Sequence, residues 1–174
     1  LSISARGDVC ATGSAKLRGA NAPSDLLPDA VLPDFDSRPP ASIASLAPGM
    51  TLGVLRETCT REEGLLHIAA VRDDAALYED GRIANAAWLL RRANYVLADN
   101  VKLGPWIHVE SDINMHGLLH DGEELEVRAV VAENIETKGH LMVVLDIQML
   151  ASQRFIMSAR HWAIYEPRQV RQTR

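Results

Sequence analysis

Residues 85–100 read NAAWLLRRANYVLADN, and four apolar, β-rich segments follow without another helical stretch. Asn85 is a good helix N-cap, and Trp88, Leu89, Ala93, Val96 and Leu97 recur at three-to-four spacing. Arg91 and Arg92 interrupt that repeat, so one face of the expected helix is greasy. The segments that follow, 106–114, 124–136, 140–150 and 155–165, are read as strands. Leu125, Val127, Ala129 and Val131 alternate as a one-faced strand should, and Val143, Leu145, Ile147 and Met149 repeat the pattern. Asp121-Gly122 and Lys138-Gly139 mark turns, and 151–154 closes a further hairpin. Connections this short have no room for crossover helices, so the sheet is antiparallel. One helix covers one face of such a sheet. The other face calls for a second helix, a second sheet or another subunit, and dimerisation is the simplest answer.

Ahead of the long helix, 51–59 is read as the first strand of this domain. TREE at 60–63 is a capping box opening a helix through about residue 72, with Leu65, Leu66, Ile68 and Ala69 as its apolar face. Residues 73–82 form a polar loop. Six of the chain's eight prolines (Pro23, Pro28, Pro33, Pro39, Pro40 and Pro48) fall within 19–49, which is therefore read as an extended linker. Residues 8–18 are read as an N-terminal strand, with Cys10, Thr12 and Ser14 on one side. The expected organisation is an arm at 1–18, the linker at 19–49, the main domain at 50–167 and a polar tail at 168–174.

Composition narrows the chemistry by exclusion. A chain of 174 residues with 47% apolar content supports one real core. The 18 basic and 23 acidic residues give a net charge of -5 with no polybasic run, which argues against nucleic acid. Two cysteines, Cys10 and Cys59, are too few for a disulfide framework, and a cytoplasmic location is expected. No apolar run is long enough for a membrane span, so no membrane partner is expected. The usual nucleotide, zinc-protease and serine-hydrolase motifs are absent, and neither a cofactor nor a metal is expected. His108 and His116 lie near Asp112, and His120 is four positions beyond His116, but ordinary strand and loop histidines outweigh a metal site. His161, in the final strand, is read as a core hydrogen-bonding group or part of a solvated site rather than as a catalytic residue.

Asp73 stands apart. It ends the first helix, where its carboxylate can reach the space before the long helix. Free amides around Asn85, Ala86 and Ala87 favour developing negative charge there, although Asp73 could equally cap the turn.

These features together resemble the MaoC-like branch of the hotdog fold, which includes (R)-specific enoyl-CoA hydratases and related dehydratases. The resemblance spans roughly 48–167. It rests on VRDDAALY at 71–78, the helix at 85–99, GPWIHV at 104–109, HDGEEL at 120–125 and ARHWAIY at 159–165. GDVCATGSA at 7–15 is similar to a last hotdog strand, which suggests part of a preceding repeat. The resemblance implies an α+β hotdog fold, a long central helix wrapped by a curved antiparallel sheet, in a homodimer or with a hotdog-fold partner subunit. In that family a loop Asp and a His beyond an Asn-Pro pair activate water at the double bond of an enoyl thioester. Asp73 falls on the aspartate position, Tyr78 on the histidine position, and Ala75-Ala76 replaces Asn-Pro. A phenol is a poor base at neutral pH, so Tyr78 does not simply stand in for imidazole. The expected catalytic pair is Asp73 and Tyr78, with Asn85, Ala86, Ala87 and Trp88 binding an acyl-CoA or acyl-carrier thioester. A hotdog thioesterase and a non-catalytic acyl-binding or assembly subunit are the alternatives.

Overall fold

The computed structural model describes residues 2–5, 8–12 and 22–171. Its main body is a five-stranded antiparallel sheet in the order β3-β5-β6-β7-β4. The strands are β3 (Thr51–Thr58), β4 (Ile107–Met115), β5 (Glu124–Thr137), β6 (His140–Ala151) and β7 (Arg154–Glu166). The helices α1 (Arg61–Val71) and α2 (Ala86–Ala98) lie between β3 and β4, and a single turn, α3 (Arg168–Arg171), follows β7. Ahead of them, β1 (Ser2–Ala5) and β2 (Asp8–Thr12) pair as a separate antiparallel hairpin. The remainder of the strand expected through residue 18 lies outside the described residues.

The alternating residues of β5 explain how α2 is seated. Leu125, Val127, Ala129 and Val131 are fully buried in one cluster with Leu89, Ala93, Val96 and Leu97 of α2. Val143, Leu145, Ile147 and Met149 of β6 extend the same layer. The long helix thus rests against a curved antiparallel sheet, as its single apolar stripe requires.

Two sequence expectations need correction. Arg92 does not interrupt the buried face but belongs to it, at 5% exposure. Its guanidinium lies 3.2 Å from the centroid of the Trp88 ring and forms a two-point ion pair with Glu57 on β3. Stacking and pairing together make burial of that charge tolerable. By contrast, the proposed apolar face of α1 is largely bare. Only Gly64 is buried in that helix, while Leu65, Leu66 and Ala69 are exposed and Ile68 is half-buried.

The opposite face of the sheet is crossed by the proline-rich segment, whose described residues, from 22 on, include a 3-10 turn at Phe35–Ser37 and are otherwise without helix or strand. Gln148 accepts the amide of Leu27 at 2.8 Å and donates to the carbonyl of Asp25 at 2.9 Å. Arg128, its cross-strand neighbour, donates to the Leu27 carbonyl at 3.0 Å. The chain then passes so close to β3 that a Cβ on Gly53 would stand 2.5 Å from both Leu32 Cα and the Val31 carbonyl. Both obstacles are backbone, so relief requires moving the strand or the segment. Gly53→Ala is expected to cost about 2 kcal/mol and to release this stretch first. Faster hydrogen exchange of the Val54 amide, which donates to Ala30, is the measurement. Unchanged protection would mean the segment relaxes freely.

Candidate functional site

The site begins where α1 ends. The Thr60 hydroxyl caps its start by accepting the Glu63 amide at 3.3 Å. The helix stops at Arg72, whose left-handed φ of 55° turns the chain sharply. Asp73 follows at once, and both of its carboxylate oxygens are engaged. One accepts the Ala75 amide at 2.9 Å, an Asx turn, and the other accepts the side-chain amide of Asn85 at 2.7 Å. Tyr78 sits half-buried in the next turn, its amide donating to Ala75 and its carbonyl accepting from Gly81. The loop closes back on α1 where Gly81, at φ 70°, passes Gly64. A Cβ on Gly64 would meet the Gly81 carbonyl at 2.8 Å, which explains the paired glycines.

Asn85 joins loop and helix. It is nearly buried, its side-chain oxygen accepts the Ala87 amide at 2.8 Å, and its backbone carbonyl accepts from Leu89. Asp73, Asn85 and the first turn of α2 therefore form one hydrogen-bonded unit. Asn85 itself occupies the Ala87 amide, so that donor is not free as the sequence suggested. Ala86 is half-buried and Ala87 exposed. Trp88 lies one position deeper and is buried beneath Arg92.

A groove of about 360 Å³ separates α1 from α2. Glu63, Leu66, His67 and Ala70 of α1 face Trp88, Arg91, Arg92 and Tyr95 of α2, with Glu57 of β3 at the edge. Each helix contributes positions i, i+3, i+4 and i+7, a single stripe. His67 is the residue that sequence reasoning passed over. The signal was its place four residues after Glu63, on the face opposite Leu65. Its Nε2 is buried and has no hydrogen-bond partner among the described residues. Burial and the guanidinium groups of Arg92 and Arg91 hold the imidazole below its ordinary pKa, against the opposing pull of Asn85 and Asp73. It is therefore neutral at neutral pH.

Other candidates resolve into structure. His161 is fully buried, with Nδ1 2.8 Å from Ser111 Oγ, which lies 3.0 Å from His108 Nε2. The two imidazoles stack with centroids 4.5 Å apart. His161 is thus a core hydrogen-bonding group, the first of the two readings its strand position left open, and not a solvated one. His116 pairs with Ser158 at 2.8 Å, and among the described residues no three His, Cys, Asp or Glu side chains gather as a metal site would need. Burial first, then nearby Asp121 and Glu63, push the Cys59 thiol up to about 11, so it remains protonated and inert. Among the described residues, no helix is long and apolar enough to cross a membrane.

No family model and no curated protein matches the sequence. Solved structures do match the fold. The (R)-hydratase from A. caviae involved in PHA biosynthesis superposes with a TM-score of 0.56 at 14% identity, covering 67% of this chain and 94% of that one. A C-terminally truncated HadBC (3R-hydroxyacyl-ACP dehydratase) complex from Mycobacterium tuberculosis gives 0.58 at 20% identity, covering 67% and 96%. The MaoC-like dehydratase from Rhodospirillum rubrum gives 0.54 at 13% identity, covering 72% and 97%. At these identities the likeness shows the architecture: the chain has the hotdog fold.

Proposed function

We propose that this chain binds an acyl thioester, carried on CoA or on an acyl carrier, in the groove between α1 and α2. On this reading it is a hydratase or dehydratase of the MaoC-like kind. The observation that carries the reading is the junction of Asp73, Asn85 and the start of α2. It fixes a carboxylate beside the positive end of a 13-residue helix. The helix end favours negative charge developing on a thioester oxygen, whereas the carboxylate of Asp73 opposes it and is suited instead to directing a water. Asp73 retains acceptor capacity despite its two hydrogen bonds, because an ionised carboxylate offers about four lone-pair sites. Leu66, Ala70 and Tyr95 supply the apolar part of a groove that Glu57, Glu63, His67, Arg91 and Arg92 also line, so an acyl chain would lie along one side of it.

Support also comes from the named activities of the neighbours, a hydratase and two dehydratases that share this architecture. The expected result is hydration of a 2-enoyl-CoA by the wild-type chain, with kcat/KM falling about 100-fold or more in Asp73→Asn. Undiminished turnover in that variant would remove Asp73 from the chemistry. Release of free thiol instead would identify a thioesterase.

A second reading, a non-catalytic acyl-binding or assembly subunit, is favoured by the structural use of both Asp73 oxygens and by Tyr78 in the loop. The outer strand fits that role too. β4 is an edge strand whose Ile107, Val109, Ile113 and Met115 are 36–50% exposed. An edge of that length normally pairs or is covered. On either reading a second hotdog unit, from an identical or a related chain, occupies it. HadBC and ChsH1-ChsH2 from Mycobacterium tuberculosis, neighbours of this fold, are complexes of two named subunits.

A further inference from the structure

We propose that His67, carried on α1 rather than on the loop, is the proton-transferring residue of this site. The inference rests on the hydratase reading given above. The loop offers a phenol at Tyr78, and phenols do not accept protons readily at neutral pH. The groove supplies an imidazole from the other side. His67 lies on the α1 stripe that faces Trp88, Arg91, Arg92 and Tyr95. Its Nε2 is enclosed without a hydrogen-bond partner among the described residues, an arrangement that is unfavourable until a polar atom reaches it. Nε2 is closed to water as it stands, so a water or a ligand oxygen in the groove meets it only once the imidazole turns toward that space.

The surroundings are those of a base. Glu63 stands one turn back on the same helix, Glu57 and the paired Arg92 lie across the groove, and Arg91 borders it. Asn85, held by Asp73 at the start of α2, pulls the imidazole pKa upward against the two guanidinium groups. His67 thus lies within electrostatic reach of Asp73 and Asn85, although neither of those two lines the groove.

The step balances without a co-reactant. Nε2 accepts a proton from water as the water oxygen bonds to Cβ of the enoyl thioester. The π pair of the Cα–Cβ bond shifts toward the thioester carbonyl, and its enolate oxygen faces the first turn of α2. The imidazolium then returns the proton to Cα, giving a 3-hydroxyacyl thioester. Water has been added, and nothing is oxidised or reduced.

The test compares wild type, His67→Gln and Tyr78→Phe in steady-state hydration of a 2-enoyl-CoA across pH 5–9, a range of about four decades in proton activity. His67→Gln is expected to lower kcat by about 10²–10⁴-fold with KM little changed, and to abolish the fall in rate on the acid side. Tyr78→Phe should retain that acid limb. An acid limb that persists in His67→Gln, or a loss below threefold, overturns the proposal while leaving the hydratase reading intact. A wild-type chain that hydrates no enoyl thioester overturns both. Imidazole NMR of the wild type provides a check independent of how the variant folds. A 3-hydroxyacyl-CoA should shift the His67 resonance and its titration, and an unmoved resonance counts against the proposal.

Discussion

Asn100→Ala is expected to cost the fold about 3 kcal/mol, lowering the melting temperature by about 6–12 °C. The side chain of Asn100 is nearly buried just beyond the end of α2. Its oxygen accepts the Gly53 amide at 2.6 Å, while its nitrogen donates to the Gly53 carbonyl at 2.9 Å and to the Val96 carbonyl at 2.8 Å. Gly53 lies where the pairing of β3 with β5 slips between Leu52 and Leu55, so the ladder does not serve it there. Asn100 supplies those bonds instead, tying the sheet to the helix. Alanine removes the replacement and strands buried donors and acceptors, each costing about 1–3 kcal/mol. Asn114→Ala on exposed β4 should fall within about 0.5 kcal/mol of wild type. Urea unfolding of the pair reads the difference, and a loss under about 1 kcal/mol for Asn100→Ala would mean water replaces the lost partners.

Acid should destabilise the chain through His161. Burial, and secondarily the neighbouring His108, push its pKa from 6.5 down to about 4. The native imidazole therefore stays neutral where the unfolded one protonates. Between those two values the unfolded state binds the extra proton. The contribution is complete above pH 6.5 and drains away as the pH falls toward about 4. Its full size is of order 3 kcal/mol. The unfolding midpoint followed from pH 7.5 to 4.5, a span of about three decades in proton activity, should fall steeply, and His161→Leu should flatten that slope. Equal slopes in the two proteins would show that other groups govern the acid response.

The secondary structure was legible because its signals were local. Alternation along 125–131 and 143–149 fixed two strands and their inward faces, and the Trp88 to Leu97 repeat fixed α2. Thr60 and Asn85 cap the helices they were expected to cap. The meeting of Asp73 with the start of α2 was also anticipated, since a short loop can carry a carboxylate only so far. Arg92 was misread because hydropathy assigns a guanidinium to solvent, whereas its burial depends on Glu57, 35 residues earlier. The α1 face was misread for the opposite reason. Apolar residues do not guarantee a partner surface within the same chain.

What the sequence by itself determined is the strands and two long helices of the main domain, their order and the antiparallel sense of the sheet, because periodicity and turn length are properties of contiguous residues. The strand at Ser2–Ala5 and the short turns at Phe35–Ser37 and Arg168–Arg171 carried no such signal. Tertiary structure alone decided which distant groups share a space. It placed His67 across a groove from Trp88 and Arg92, and let Asn100 stand in for missing sheet bonds at Gly53. It also buried His161 where it cannot readily take a proton. Each depends on contacts between segments far apart along the chain, and on the desolvation those contacts bring.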